Sequence, residues 1–310
     1  MRYAVIGIGS NSCRLLIASR RSNQSNQWKI EHHDIRGTRL GQDVASSRKL
    51  APAAVERTLE VVSEFAALGR RADALFVIGT CALRDASNAA DFARRTRELA
   101  GTDLHILTAE EEARASFAGA SWALRNDAAL ECARTSTICV ADIGGGSTEL
   151  AIGKLEKMPF DVASLPLGAV SLTERFFKHD PPTAEELSGC RTAVRLTFAA
   201  LDSRVRPRGA IVLVGGTADT SARMLNAYGS ESDVPVARVQ MEDVSDLLRL
   251  TSSLPAVRRK VLRGLPESRA DIFPAGLIIV EELARQAGAR EVLIAGSDLL
   301  LGYLLEHAVM

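Results

Sequence analysis

Val140-Ala141-Asp142-Ile143-Gly144-Gly145-Gly146-Ser147-Thr148-Glu149-Leu150 decides how this chain is read. An apolar run from Ser136 to Ala141 leads into an acid, three glycines turn the backbone, and Ser147 to Ile152 reads as a return strand. The pattern predicts a hairpin with a bare backbone at its tip, whose N–H groups can approach an anion closely. Asp142, at the strand end, is placed to hold a cation or orient a water. A plain tight turn explains the glycines equally well when they are taken alone.

The N-terminus repeats the pattern. Gly7-Ile8-Gly9-Ser10-Asn11-Ser12-Cys13-Arg14-Leu15 lies over Asp142 to Leu150 without gaps, with Ile8, Gly9, Ser12 and Leu15 matching Ile143, Gly144, Ser147 and Leu150. Both windows sit between apolar strands, so the chain reads as a duplication whose two small-residue loops grip a polyanion from opposite sides of a cleft.

A chain of 310 residues fits two units, 1–126 and 127–310, each long enough to bury a core. The 38 basic and 38 acidic residues balance, which argues against a dedicated nucleic-acid binder. Cys13, Cys81, Cys132, Cys139 and Cys190 are scattered without a CxxC pair, and the histidines lack ligand spacing, so free thiols and no zinc site are expected. No stretch reads as a signal peptide or a membrane span, and a cytoplasmic protein is the expectation.

Hydrophobic spacing predicts a third strand at Trp28 to Arg36 after a polar turn at 20–27. It then gives a helix from Leu50 to Gly69, a strand at Ala74 to Ile78, a helix from Asn88 to Ala100, a strand at Leu104 to Leu107, and a helix through about Leu124. Thr108 and Glu111 form a capping box for that last helix. Asp127 to Arg134 connects to a second half with strands near 136–142, 147–153, 160–165, 210–214 and 291–295. Helices are expected near 170–178, 182–202, 217–227, 242–252, 255–263, 273–287 and 298–308. Strands followed by alternating strands and helices mean α/β with mixed sheets.

Five stretches reach strand ends where such folds place ligands: the two hairpin loops, Gly79 to Arg84, Thr108 to Glu112, and Gly215-Gly216-Thr217. In order and spacing they resemble the exopolyphosphatase/guanosine pentaphosphate phosphohydrolase family. The residues that carry the likeness are Gly9-Ser10-Asn11-Ser12, Gly79-Thr80-x-Ala82-Leu83-Arg84-Asp85-Ala86-x-Asn88, Glu111-Glu112-Ala113-Arg114, Asp142 to Leu150, Leu165-Pro166-Leu167-Gly168-Ala169 and Gly215-Gly216-Thr217. The resemblance implies a duplicated actin-like, sugar-kinase-like (ribonuclease H-like) fold, Mg²⁺, a homodimer, and removal of the terminal phosphate from polyphosphate or guanosine pentaphosphate. It also implies Glu112 as the catalytic glutamate, Asp142 and Glu149 as ligands of metal or attacking water, and Arg84 as a phosphate-binding arginine. Gly9, Ser10, Asn11, Ser12, Gly144, Gly145, Gly146, Ser147, Thr148 and the Gly215–Thr217 turn would surround the phosphates. The hydroxyls of Ser12, Ser147 and Thr148 either donate to phosphate or hold their own turns.

Two positions depart from the family pattern. Gly7 stands where an acid is usual, opposite Asp142, and Leu300-Leu301 replaces an Arg-Glu pair. Gly7 is expected to leave room for water, and the losses favour the alternative of a weakened member that binds alarmone nucleotides (guanosine penta- or tetraphosphate) or polyphosphate without turnover. A kinase of the same superfold is a third reading, which needs an acceptor pocket. The helix at 298–310 is expected to be able to pack back on the first half.

Overall fold

A computed structural model describes residues 1–20, 28–125, 137–155, 157–228 and 236–308. The polar turn at 20–27 (from residue 21 on), the connection at 127–134 and the boundary between 126 and 127 lie outside these residues. Strands β1 (Arg2–Ile8), β2 (Ser12–Arg20), β3 (Trp28–Gly37), β4 (Ala74–Gly79) and β5 (Leu104–Ile106) form the first sheet, ordered β3-β2-β1-β4-β5. The second sheet contains β6 (Thr137–Ile143), β7 (Thr148–Lys154), β8 (Asp161–Leu165), β9 (Ala210–Val214), β10 (Val236–Gln240) and β11 (Glu291–Ala295), in the order β10-β11-β9-β6-β7-β8.

The duplication is visible in the pairing. β1 and β2 run antiparallel, β4 joins β1 in parallel, and β6, β7 and β9 repeat that arrangement. The two loops close with the same bond, Gly9 N to Ser12 O at 3.0 Å and Gly144 N to Ser147 O at 3.0 Å. The fold is therefore the expected α/β, actin-like duplication. β10 is an addition that hydrophobic spacing did not reveal: only Ala237 and Val239 are buried in a five-residue antiparallel edge strand. The helix expected at 255–263 shortens to Ala256–Arg259, and Val44–Ser47 and Cys81–Asp85 add short helices inside loops.

Side chains alternate across each strand, so parity decides which layer a residue enters. On β1, Ala4, Ile6 and Ile8 meet Phe65 and Phe92 in an outer core, beneath the helices Pro52–Gly69 and Ala89–Ala100. Tyr3 and Val5 point the other way, into a central layer shared by both halves. Cys139, Ala141 and Ile143 face the second outer core, with helices Ala184–Ala199, Met241–Ser253 and Phe273–Ala287. Ile138 and Val140 face the central layer.

Two helices fill that layer, Ala109–Arg125 and Leu299–His307. They lie so close that a Cβ on Gly302 would overlap the Ala115 carbonyl, and one on Gly119 the Asp298 carbonyl. The last helix thus returns to the first half, buried through Leu299, Leu300, Leu301 and Leu304. Among the described residues no helix is long and apolar enough to cross a membrane.

Candidate active site

Continuing each strand by the same parity carries Asp142 and Glu149, cross-strand partners on β6 and β7, to the central face. Gly7 and Arg14 pair in the same way on β1 and β2. All four therefore look toward the two central helices. The Ala109–Arg125 helix starts with the expected box: Thr108 N donates to Glu111 Oε2 at 2.7 Å and Glu111 N to Thr108 Oγ1 at 3.2 Å. Glu110 turns outward onto Arg114, and Glu112 turns in, 6% exposed.

One turn further along, the Ser116 hydroxyl donates to Asp142 Oδ2 at 2.6 Å. Glu112 accepts from Arg84 Nη1 at 2.5 Å, and the same nitrogen donates to the Leu107 carbonyl at 2.9 Å. Arg84 Nη2 lies 3.7 Å from Glu149 Oε1, and Ser164 donates to that oxygen at 2.8 Å. Arg84 is thus the ion-pair partner of two carboxylates, and the cleft lining does not include it. Nor does the lining include Glu149, while Glu112 and Asp142 form part of it.

Packing acids this densely shifts them. Burial lifts the Glu112 carboxyl to about 7, with Asp142 adding to the rise and Arg84 opposing it. Burial, followed by the nearby acid Asp298, also raises Asp142, and burial together with Glu112 and Asp142 raises Glu149 well above the usual range.

Both loops turn their carbonyls away from the cleft. Gly144 O accepts from Ala169 N at 3.0 Å, and Gly145 O from Val170 N at 2.8 Å. Ser10 O accepts from Gly41 N at 2.7 Å, and Asn11 O from Thr38 N and Arg39 N at 3.1 and 2.9 Å. In a trans peptide the N–H opposes the C=O, so the amides of Gly145, Gly146, Asn11 and Ser12 face the cleft. Gly9, Ser10, Asn11, Ser12, Gly144, Gly145, Gly146, Ser147, Gly215 and Gly216 all line it. Thr148 does not: its hydroxyl holds the Leu167 carbonyl at 2.5 Å, and Thr217 is buried against Gly276.

Several cleft residues were not singled out from sequence. Arg14, at the position matching Glu149, pairs with Asp298, which caps the last helix through Leu300 N at 3.1 Å. The signal lay in the internal superposition, which sets an arginine over a glutamate and so reverses the charge. Arg269 spreads its guanidinium over the bare backbone of Gly216, where a Cβ would overlap Nη2. Burial and the neighbouring Arg14 pull its pKa down, and it still stays protonated at neutral pH. No local pattern announces Arg269, because its approach to the cleft is tertiary.

The expectation that Gly7 leaves room for water is overturned. A Cβ there would overlap Leu300 Cδ2, and Leu300 is 2% exposed. The two departures from the family pattern are one feature, an apolar side chain filling the space a glycine vacates.

Among the described residues no cluster of three or more His, Cys, Asp and Glu side chains is arranged to hold a metal ion. The hard carboxylate oxygens of Asp142, one held by Ser116 and the other at Gly215 in the cleft lining, suit Mg²⁺, which takes one or two protein carboxylates together with substrate phosphates.

A duplicated actin-like fold, with two bare-backbone loops, two arginines and buried carboxylates converging on one cleft, defines a phosphate-handling enzyme. The profile of the Ppx/GppA phosphatase family matches residues 17–307, and the chain belongs to that family and is a phosphatase. It is 32% identical to exopolyphosphatase 2 of Mycobacterium tuberculosis, over 99% of this chain and 98% of that protein. The crystal structure of the Aquifex aeolicus Ppx/GppA family member superposes with a TM-score of 0.77 at 28% identity, covering 100% of this chain and 98% of that one. An exopolyphosphatase structure from Cytophaga hutchinsonii shares the fold, with a TM-score of 0.87 at 20% identity, over 100% of this chain and 99% of the other.

Proposed function

We propose that this phosphatase removes the terminal phosphate from inorganic polyphosphate, with guanosine pentaphosphate as a second substrate carrying the same terminal anhydride. The observation that carries the reading is Glu112: a buried carboxyl lining the cleft, with its pKa lifted close to neutrality. A general base works best with its pKa near the operating pH. Similarity to a protein named exopolyphosphatase supports polyphosphate as the first substrate to test.

The loop amides and the guanidinium groups of Arg14 and Arg269 hold the terminal phosphates. Glu112 takes a proton from a water in line with the bridging oxygen. The water oxygen bonds to the terminal phosphorus as the bridging P–O bond breaks. Mg²⁺, held by Asp142 with Glu149 behind it, would neutralise charge on the transferred group. Ser116 and Ser164 orient these two acids. Phosphate release measured on polyphosphates of several lengths and on guanosine pentaphosphate, with and without Mg²⁺, tests the reading. Tight binding of both without release would replace it with the sensor.

The Gly145→Val variant should bind polyphosphate more weakly while keeping most of its stability. The added side chain meets Ser10 Cβ at 3.0 Å and Asn11 N at 3.2 Å, between the loops. Equal affinity by calorimetry would return the loop to a plain turn.

Activity should rise with pH through about 7 as Glu112 ionises. Stability should move the opposite way. The folded protein keeps a proton on Glu112 that the unfolded chain, with an ordinary glutamate pKa of 4.5, has already released. This group therefore makes stability fall between pH 4.5 and about 7, with no further loss above. Denaturant midpoints across that range check the sign, and Glu112→Gln should flatten the slope.

A further inference from the structure

The geometry points to Arg39 as a positioning residue that sets Arg269 in the phosphate cleft. This inference rests on the proposal that Arg269 contacts the bound phosphates. Arg269 belongs to a short segment of the second half, Glu267–Asp271, that begins with a 3₁₀ turn at Glu267–Arg269. Both flanks of Arg269 are held by the first half. On one side the Ser268 carbonyl accepts from Asn11 Nδ2 and from Arg39 Nη2, each at 3.5 Å, and the Ser268 side chain packs against the bare face of Gly37. On the other side, Arg39 Nη2 donates to Asp271 Oδ1 at 2.6 Å. Between these anchors Arg269 extends over Gly216.

Arg39 is itself tied to the first phosphate loop, since its N–H donates to the Asn11 carbonyl at 2.9 Å beside the matching bond from Thr38. Its φ of 53° lies in the left-handed region, an uncommon conformation for a side-chain-bearing residue that the surrounding bonds must maintain. One residue therefore joins the loop that receives phosphate to the segment that delivers a guanidinium. The Arg39–Asp271 pair is 39% and 34% exposed, and pairs at such exposure contribute little to global stability. Its effect is expected in substrate binding more than in folding.

The test is a double-variant cycle on the full chain, using tripolyphosphate as the probe. Arg39→Ala should raise KM and the calorimetric Kd ~10-fold, with kcat changing less, the scale expected when a binding group is displaced by about an ångström or less. Arg39→Lys should recover part of the loss, and Asp271→Asn should reproduce part of it. Because Arg39 acts through Arg269, adding Arg39→Ala to Arg269→Ala should weaken binding by less than about twofold further. An undiminished Arg39→Ala effect in the Arg269→Ala background overturns the assignment, as does an Arg39→Ala protein that binds like the parent. Should Arg39→Ala fail to fold, the cycle is read from Asp271→Asn with Arg269→Ala. Binding without phosphate release, with the cycle intact, defeats the hydrolase proposal alone; release with no coupling in the cycle defeats the role of Arg39 alone.

Discussion

Glu112→Gln is expected to bind polyphosphate at least as tightly as the parent while kcat falls by ~10²-fold or more, the scale of a lost general base. The amide keeps an oxygen that can accept from Arg84 and occupies nearly the same volume, so neither the first turn of the Ala109–Arg125 helix nor the Arg84 bridge to Leu107 should move. What disappears is the ability to accept a proton from water. One negative charge also leaves a cleft that must admit a polyanion, which favours binding. The dependence of kcat on pH near 7 should vanish together with the rate. A variant with kcat within about twofold of the parent would remove Glu112 from the mechanism.

The second large effect concerns stability. Gly7→Asp is expected to cost about 2–4 kcal/mol, combining overpacking with a carboxylate placed against an apolar group. The added Cβ would overlap a Leu300 methyl, and Leu300 is enclosed in the central layer with little freedom to retreat. The new charge would also enter a space that already holds Asp142, Asp298 and Glu112. Gly7→Ala should cost less, and Gly7→Asp combined with Leu300→Ala should recover the steric part. Urea unfolding of the four proteins measures this. A Gly7→Asp protein as stable as the parent would mean that Leu300 does not fill that position. A destabilised Gly7→Asp protein would make the glycine a packing requirement set by Leu300, and the sensor reading would lose its principal support.

The fold was legible because its information is local and repeated. The continuous apolar runs of β1 and β6, the two glycine turns, and the Thr108–Glu111 box each act within a few residues, and together they define both halves. Asp142 was legible from its place at the end of an apolar strand, whereas Glu112 was reached only through the family resemblance, and helix phase explains afterwards why it turns inward. Arg84 shows the limit. Its position after a strand and turn is right, but whether it meets phosphate or Glu112 depends on a helix 28 residues further on. Arg269, Asp298 and Leu300 reach the cleft from remote segments, and no spacing rule connects residue 7 with residue 300. β10 escaped because five residues with two buried side chains carry too weak an alternation.

The return of the Leu299–His307 helix to the first half sets the order in which this protein can be completed on the ribosome. The first sheet and the Ala109–Arg125 helix emerge early, but the helix that covers them is made only after the whole second sheet. Until then the nascent chain must leave bare the surface that Leu300, Leu301 and Leu304 later occupy, a sticky state of the kind chaperones shield. Truncation just before residue 299 should therefore expose the first half as well as shorten the second.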